Sequence, residues 1–401
     1  MPTCSGPAAG TGRTAPSDGD AEGWARRLLR RGGGGDGVRR NARSYTPRWP
    51  NLVAFAQAWE PALPWGSSPG GAMNPDAADT LGIDGRWFDP LWRITVDLTP
   101  LEQALLDSWP VRRLGFVAHA GAASLTTTQT YSRLEHSLGV LALVAHFAPD
   151  DQVARATALL HDVGHLPFSH TLEGIEGLDH HELGHARIRS MGELLAQHGL
   201  DAERLLEVDD GRIDSPLTSR PGGMKLDHLD SFLRSGQAHG RTRSLPAMVL
   251  SRLRLLEGTV DTDAETGAEL VRLAVAEARA QRSPADVVPV AVLRHLVTTA
   301  LSGEDPDLSV EELVEMTDDE LLAALRDCPS TAEEAETFQK HPLSWRLLAE
   351  HDDEGAGTAR VEHRITRTYL DPPSVDGELL HSSEADELRR GLPLVFVLHR
   401  R

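Results

Sequence analysis

The stretch ALLHDVGHLPFSHTLE, residues 158–173, crowds His161, Asp162, His165, His170 and Glu173 into a few turns of chain. Imidazole nitrogen with carboxylate oxygen is a donor set for borderline divalent ions such as Zn, Fe, Mn, Co or Ni. Neighbouring residues on a helix point about 100° apart, so His161 and Asp162 can share an ion only beyond the last turn of the helix that carries them. A metal site needs more donors. His136 in YSRLEHSLGV and Asp227 in KLDHLDSFLR are candidates, because each interrupts an apolar face where a polar group needs a partner. The chain has 18 histidines, so one His–Asp pair carries little weight by itself. A second pair, His351–Asp352, sits in the acidic run LLAEHDDEG and reads as an idle surface feature. The first pair differs in its apolar flank, Ala158, Leu159 and Leu160.

Helices must hold these side chains, and the pattern turns helical from about Gly85. LEHSLGVLALVAHFA is apolar at helical spacing. DDQVARATALLHDVG opens on Asp150 and Asp151, suited to an N-cap, and stops at Gly164, suited to the residue after a C-cap. HELGHARIRSMGELLAQHG predicts a helix stopping at Gly199, and GMKLDHLDSFLRSG an amphipathic one. TDAETGAELVRLAVAEARAQ, DVVPVAVLRHLVTTAL and SVEELVEMTDDELLAALRDC predict further helices. Near the end the period falls to two, and RVEHRITRTYLD and LPLVFVLHR predict strands. The expected fold is mainly α, with a helical core at 83–302 and a small mixed α/β C-terminal region at 303–401. Residues 1–82 are rich in Gly, Pro, Ala and Arg and predict a disordered extension, with an Arg-rich contact arm as the alternative. Met73 offers an alternative start.

The formal net charge of −20 argues against stable nucleic-acid binding or adhesion to an anionic membrane. A metal and a few arginines can still set a local field for a small anion. No apolar run is long enough for a membrane helix and no signal peptide opens the chain, so a cytoplasmic protein is expected. Cys4 and Cys328 form neither a disulfide framework nor a thiolate metal site.

The ordered blocks RLEHSLGV, ALLHDVGHLPFSHTLE, HHE and KLDHLD resemble the HD-domain phosphohydrolases. Within them the chain is similar to the deoxynucleoside triphosphate triphosphohydrolase (dGTPase-like) branch, from about Asp107 to Arg234, with an echo at YLDPPSVDG. The resemblance implies an HD-domain helical core and a divalent metal (Mn, Fe, Zn, Co, Ni or Mg) on His136, His161, Asp162 and Asp227. It places His165 and His170 at the phosphates, with His165 also near the attacking oxygen. It makes His181 a general acid oriented by Glu173, and Arg133 and His228 further phosphate contacts. A carboxylate behind a histidine fixes its tautomer and raises its pKa, and such a donor is worth about 10²–10⁴ in rate. The family usually has Asp where Glu173 stands, which alters that pairing by a methylene. Structural alternatives are a turn cap for His170 and a salt bridge from Arg133 to Glu135 or another acid. Homo-oligomerisation is implied by the resemblance alone.

The departures fall on the sugar side. His119 stands where the branch has a glutamine, Ser231 where it has a tyrosine, and Ser235 where it has an aspartate. An intact metal set with these changes predicts a shifted substrate. The expected function is a metal-dependent phosphohydrolase acting on a nucleotide, with release of triphosphate from a dNTP as the leading case. The alternatives are a nucleotide phosphomonoesterase or other HD phosphohydrolase, and a weakly active nucleotide-sensing or scaffold protein. A competing zinc-protease reading rests on His181-Glu182-Leu183-Gly184-His185, which satisfies HExxH. Gly184 weakens a helix there and no extended motif follows. That reading makes Glu182 essential and Asp162 dispensable.

Overall fold

A computed structural model describes residues 85–175, 177–303, 306–347 and 360–400. The N-terminal extension, Met73 and the pair His351–Asp352 lie outside the described residues. The described chain opens with a hairpin, β1 (Arg86–Asp89) antiparallel to β2 (Ile94–Asp97), where the sequence reading began its helices. Trp87, Trp92 and Val96 of this hairpin are buried, which anchors a two-stranded unit too small to be stable alone.

Helix α1 (Pro100–Asp107) starts at a capping box of Thr99 with Glu102, and α2 (Arg133–Phe147) at one of Ser132 with Glu135. Leu138–Val144 of α2 are all buried, so this helix is apolar around its circumference and runs through the core. Helix α3 (Gln152–Leu160), capped by Asp151 as expected, packs along α2. Its Arg155 reaches Glu102 at 2.7 Å in a buried ion pair that ties α1 to α3. Helices α4 (His180–Ser190), α5 (Gly192–Gln197) and α6 (Ala202–Asp209) follow. The single helix expected to end at Gly199 is thus two, broken at Met191. Helix α7 (Leu226–Ala238) crosses α2 at Gly139, where a Cβ would stand 2.2 Å from Asp230 Oδ1. Glycine there is the condition for the close crossing.

Strands β3 (Arg254–Leu256) and β4 (Thr259–Thr262) lead into α8 (Ala264–Ala280) and α9 (Pro284–Ala300). The predicted helix SVEELVEMTDDELLAALRDC is a turn at Val310–Leu313 followed by α10 (Asp318–Asp327), each with its own Ser/Thr–Glu capping box. Two S/T-x-x-E signals in one stretch were the legible sign of a break. Helix α11 (Ala332–Lys340) precedes β5 (Trp345–Leu347), β6 (Arg360–Ile365), β7 (Ser374–Val375), β8 (Glu378–Leu379), α12 (Ser383–Arg390) and β9 (Leu394–Arg400). One sheet runs β3-β4-β7-β8 with β4 and β7 parallel, and another runs β5-β9-β6, all antiparallel. The two expected terminal strands are β6 and β9, paired from Arg360↔His399 to Ile365↔Leu394.

Two apolar clusters fill the interior. One gathers α1, α2, α3, α7, α8 and the first hairpin; the other gathers α9, α10, α11 and the β5-β9-β6 sheet. Leu166, Phe168 and Leu172 belong to the second cluster, while Leu159, Leu160 and Val163 belong to the first. The segment 160–172 therefore spans both, and each fully buried leucine in it contributes about 1.5–3 kcal/mol to holding it there. No helix among the described residues is long and apolar enough to cross a membrane.

Candidate metal centre

Helix α3 ends at Leu160, and His161 is its C-cap residue. His161 and Asp162 thus leave the helix end together. His161 Nδ1 lies 2.9 Å from Ala158 O and donates to it, which leaves the Nε2 lone pair free. That Nε2 is buried and has no hydrogen-bond partner. Helix α2 brings His136 beside it: His136, His161 and Asp162 offer donor atoms all within 4.8 Å of one another. His136 Nε2 is 3.9 Å from Asp162 Oδ2, and His161 Nε2 is 3.5 Å from Asp162 Oδ1. Helix α7 adds Asp227, whose Oδ1 stands 3.1 Å from His136 Nε2 and whose Oδ2 is 2.7 Å from Lys225 Nζ. Donors that share one ion at about 2.1 Å sit about 3–3.5 Å apart in tetrahedral or octahedral geometry; the 3.1 and 3.5 Å spacings fall in that range, the 3.9 Å one lies just outside it, and Asp227 joins the three-residue group through His136.

Asp230, one helical turn after Asp227, supports this set from behind. It is fully buried and accepts from His136 Nδ1 at 2.8 Å, Trp92 Nε1 at 2.7 Å and Arg234 Nη2 at 2.9 Å. Donation from Nδ1 directs the Nε2 of His136 at the site, as carboxylate–histidine–metal relays do. Burial would lower the His136 pKa, but the Asp227 and Asp230 hydrogen bonds raise it to about 9. Burial would likewise raise Asp162, yet Arg133 and the flanking histidines hold it well below the carboxylate range. The sequence reading overlooked Asp230; its spacing of three from Asp227 put it on the ligand face of the helix.

Arg133 donates to Asp162 Oδ2 at 3.0 Å and to Ser169 Oγ at 2.9 Å and is buried. The salt-bridge alternative is therefore present, with Asp162 as partner, while Glu135 is engaged in the cap of α2.

A second group lies alongside. The ring nitrogens of His165, His170 and His180 are within 4.8 Å of one another, and His165 Nε2 is 3.4 Å from His170 Nε2. Glu173 stands behind two of them, with Oε2 2.8 Å from His170 Nδ1 and Oε1 3.3 Å from His180 Nδ1. Those contacts hold the Glu173 carboxyl well below its ordinary range. Burial first, then Arg133, pushes His165 well below the usual imidazole range, so it is neutral near pH 7. The expected His181–Glu173 pair is not formed. His181 is exposed and stacks on His180 at 4.0 Å, and the Asp179 cap sets the phase of α4 so that His180 is the one turned inward.

His119 bridges Tyr131 Oη at 3.2 Å and Ser231 Oγ at 3.3 Å, and its ring meets the edge of His136 at 4.7 Å. Two of the three sugar-side departures thus touch each other. The third, Ser235, donates to Glu277 at 2.6 Å. Tyr131 completes this wall, and no motif had singled it out. His228 faces Asp371 at 3.2 Å and packs against the Tyr369 ring.

The HExxH residues do not converge. Glu182 is exposed with His181, and His185 Nε2 faces Asp210 at 3.1 Å. Of the two facing glycines it is Gly164 that the packing requires: a Cβ there would stand 2.0 Å from His180 O and 2.4 Å from Gly184 N, whereas one on Gly184 would come no nearer than 3.6 Å to Gly164. Gly164 is accordingly a contact glycine, not the left-handed helix stop the sequence suggested; α3 has already ended.

Residues 133–213 match the HD domain. The chain is 31% identical over 148 residues to an uncharacterized protein of Methanocaldococcus jannaschii, covering 35% of this chain and 32% of that one. It is 32% identical over 167 residues to the metal-dependent phosphohydrolase cns2 of Cordyceps militaris, covering 39% and 46%. It thus spans about a third to a half of these curated relatives. Among solved structures, a phosphohydrolase from Bacteroides thetaiotaomicron is similar with a TM-score of 0.58 at 14% identity, covering 79% of this chain and 99% of that one. A hypothetical protein from Aquifex aeolicus is similar with a TM-score of 0.56 at 20% identity, covering 79% and 96%. These likenesses establish a shared fold.

Proposed function

We propose, from the HD domain at residues 133–213, that this chain is a metal-dependent phosphohydrolase acting on a nucleotide. A dNTP triphosphohydrolase-like reaction releasing triphosphate is the leading case. The observation that carries the reading is the buried, unpartnered His161 Nε2 beside the donor atoms of His136 and Asp162, with Asp227 joined to the group through His136. When bound, a divalent ion supplies Lewis acidity toward a phosphoryl oxygen and makes water a better nucleophile. His136, His161, Asp162 and Asp227 would hold it. Two imidazoles with two carboxylates suit Mn, Fe, Zn, Co or Ni better than Mg, which favours oxygen donors.

The chain's other residues take the remaining tasks. His165 and His170 line the edge of the centre where the phosphates would lie. Glu173 keeps a proton on Nδ1 of His170 and His180, and His180 replaces His181 as the donor to the leaving oxygen. Arg133 supplies fixed positive charge next to Asp162. His119, Ser231 and Tyr131 form a small polar wall where the sugar would lie. That altered wall supports a second reading, a nucleotide phosphomonoesterase on the same metal.

The test is an assay of the purified protein with Mn²⁺, Fe²⁺, Co²⁺ or Mg²⁺ against pooled nucleotides, with Asp162→Ala as control. Triphosphate supports the leading case and inorganic phosphate the second reading. No product from any nucleotide, or an Asp162→Ala variant as active as the parent, refutes both.

A further inference from the structure

Residues 314–318, leading into α10, are bonded to the loop that carries His165 and His170 at three places. Arg187 donates to Val163 O at 2.6 Å and to Val314 O at 2.6 Å. Arg113, buried, donates to His165 O at 2.8 Å, to Glu315 O at 3.3 Å and to Met316 O. Asp318 completes the run: Oδ1 accepts from Phe168 N–H at 2.6 Å and Oδ2 from Ala118 N–H at 2.8 Å. The two amides belong to the two loops that flank the centre. Ala118 precedes His119, and Phe168 lies two residues before His170.

The loop so held is strained. Phe168 and Ser169 both have φ of 55°, a region that L-residues keep only where their surroundings over-determine it. Arg133 holds Ser169 from the metal side. Asp318 holds Phe168 from the other. A carboxylate suits this place because it has two acceptor oxygens and no donor. An amide would satisfy one N–H and turn its own NH₂ toward the other.

We propose that Asp318 is a positioning residue: through the Ala118 and Phe168 amides it fixes the His119 loop and the His165–His170 loop against each other, so that the chain beyond residue 300 completes the site. Only its effect on turnover rests on the hydrolase reading above.

The experiment compares full-length Asp318→Asn with Asp319→Asn, which removes the same charge from an exposed neighbouring side chain. Amide hydrogen exchange over 115–121 and 164–170 should quicken about tenfold or more in Asp318→Asn, as local opening becomes easier. Exchange in α2 and metal content should not change. The kcat should fall about 10- to 100-fold, the scale of a small misplacement of reacting groups, while KM moves less than about threefold. Asp319→Asn should match the parent throughout. Unchanged exchange in Asp318→Asn overturns the proposal, and so does quicker exchange with an unchanged kcat. Loss of metal in parallel does the same, because it would assign Asp318 to general stability. Asp318→Glu keeps both acceptors on a longer stem and guards against a folding failure of the amide. It should show both effects at smaller amplitude, and parental exchange in it also overturns the proposal. Exchange needs no turnover, so a parent protein inactive on every nucleotide refutes the substrate class and leaves the exchange result to decide the positioning.

Discussion

Replacing Asp230 by Asn tests the support of the candidate metal centre with almost no change of shape. Oδ1 accepts from Trp92 Nε1 and Arg234 Nη2, and Oδ2 from His136 Nδ1 and Arg234 Nε. Whichever way the amide turns, its NH₂ faces two donors. The charge that balances Arg234 and His136 also disappears, although Arg234 keeps Asp89 at 2.9 Å. Breaking one side of a buried charged pair costs about 3–5 kcal/mol. For a domain of this size that is a fall in Tm of about 6–20 °C, at about 2–4 °C per kcal/mol. Loss of the carboxylate behind a ligating histidine lowers metal affinity about 10- to 100-fold. The assays are thermal melting and titration with Co²⁺ or Mn²⁺. Burial would raise the Asp230 carboxyl, but Arg234 and His136 bring it from 3.8 down to about 2. A depressed acid stabilises fully above its unfolded pKa and loses that contribution as pH falls through the folded one. Parent and variant melting curves should therefore converge as pH drops from about 4 to about 2. An Asp230→Asn protein that binds metal within about twofold of the parent and melts within a degree or two of it would show that this reasoning is wrong.

Gly164→Ala should destabilise by about 2–4 kcal/mol, since the new methyl meets backbone at 2.0 and 2.4 Å, whereas Gly184→Ala, with 3.6 Å to its nearest neighbour, should be near neutral; urea denaturation distinguishes them. His180→Ala should lower kcat about 10²–10⁴-fold and His181→Ala less than about threefold, and equal losses in kinetics would restore the pairing the sequence suggested. Burial first, then Glu277, pushes Asp286 up to about 7, so its folded state binds a proton that the unfolded state has lost. Its ionisation therefore costs stability as pH rises, and Asp286→Asn should melt higher than the parent at pH 8 by a margin that shrinks to nothing near about pH 4.

What the amino-acid order determined alone is local. Asp151, Ser132 and Thr317 cap the helices they precede because a side-chain oxygen a few bonds away satisfies an exposed N–H. The apolar run of α2 had to be interior, and His136, His161, Asp162 and Asp227 could be picked out as candidate donors because each is a polar residue beside apolar ones in the sequence. Tertiary structure decided the rest. His180 and His181 are chemically identical neighbours, and about 100° of helix phase separates the one that reaches Glu173 from the one in solvent. Gly164 looked like a helix stop because both roles ask for a missing Cβ, and only the approach of α4 tells them apart. Asp318 lies 150 residues from Phe168 and 200 from Ala118 in the chain. No periodicity or cap signal spans such distances; the contact exists because two apolar clusters, each folding its own segments, bring α10 to the loop beside the metal centre.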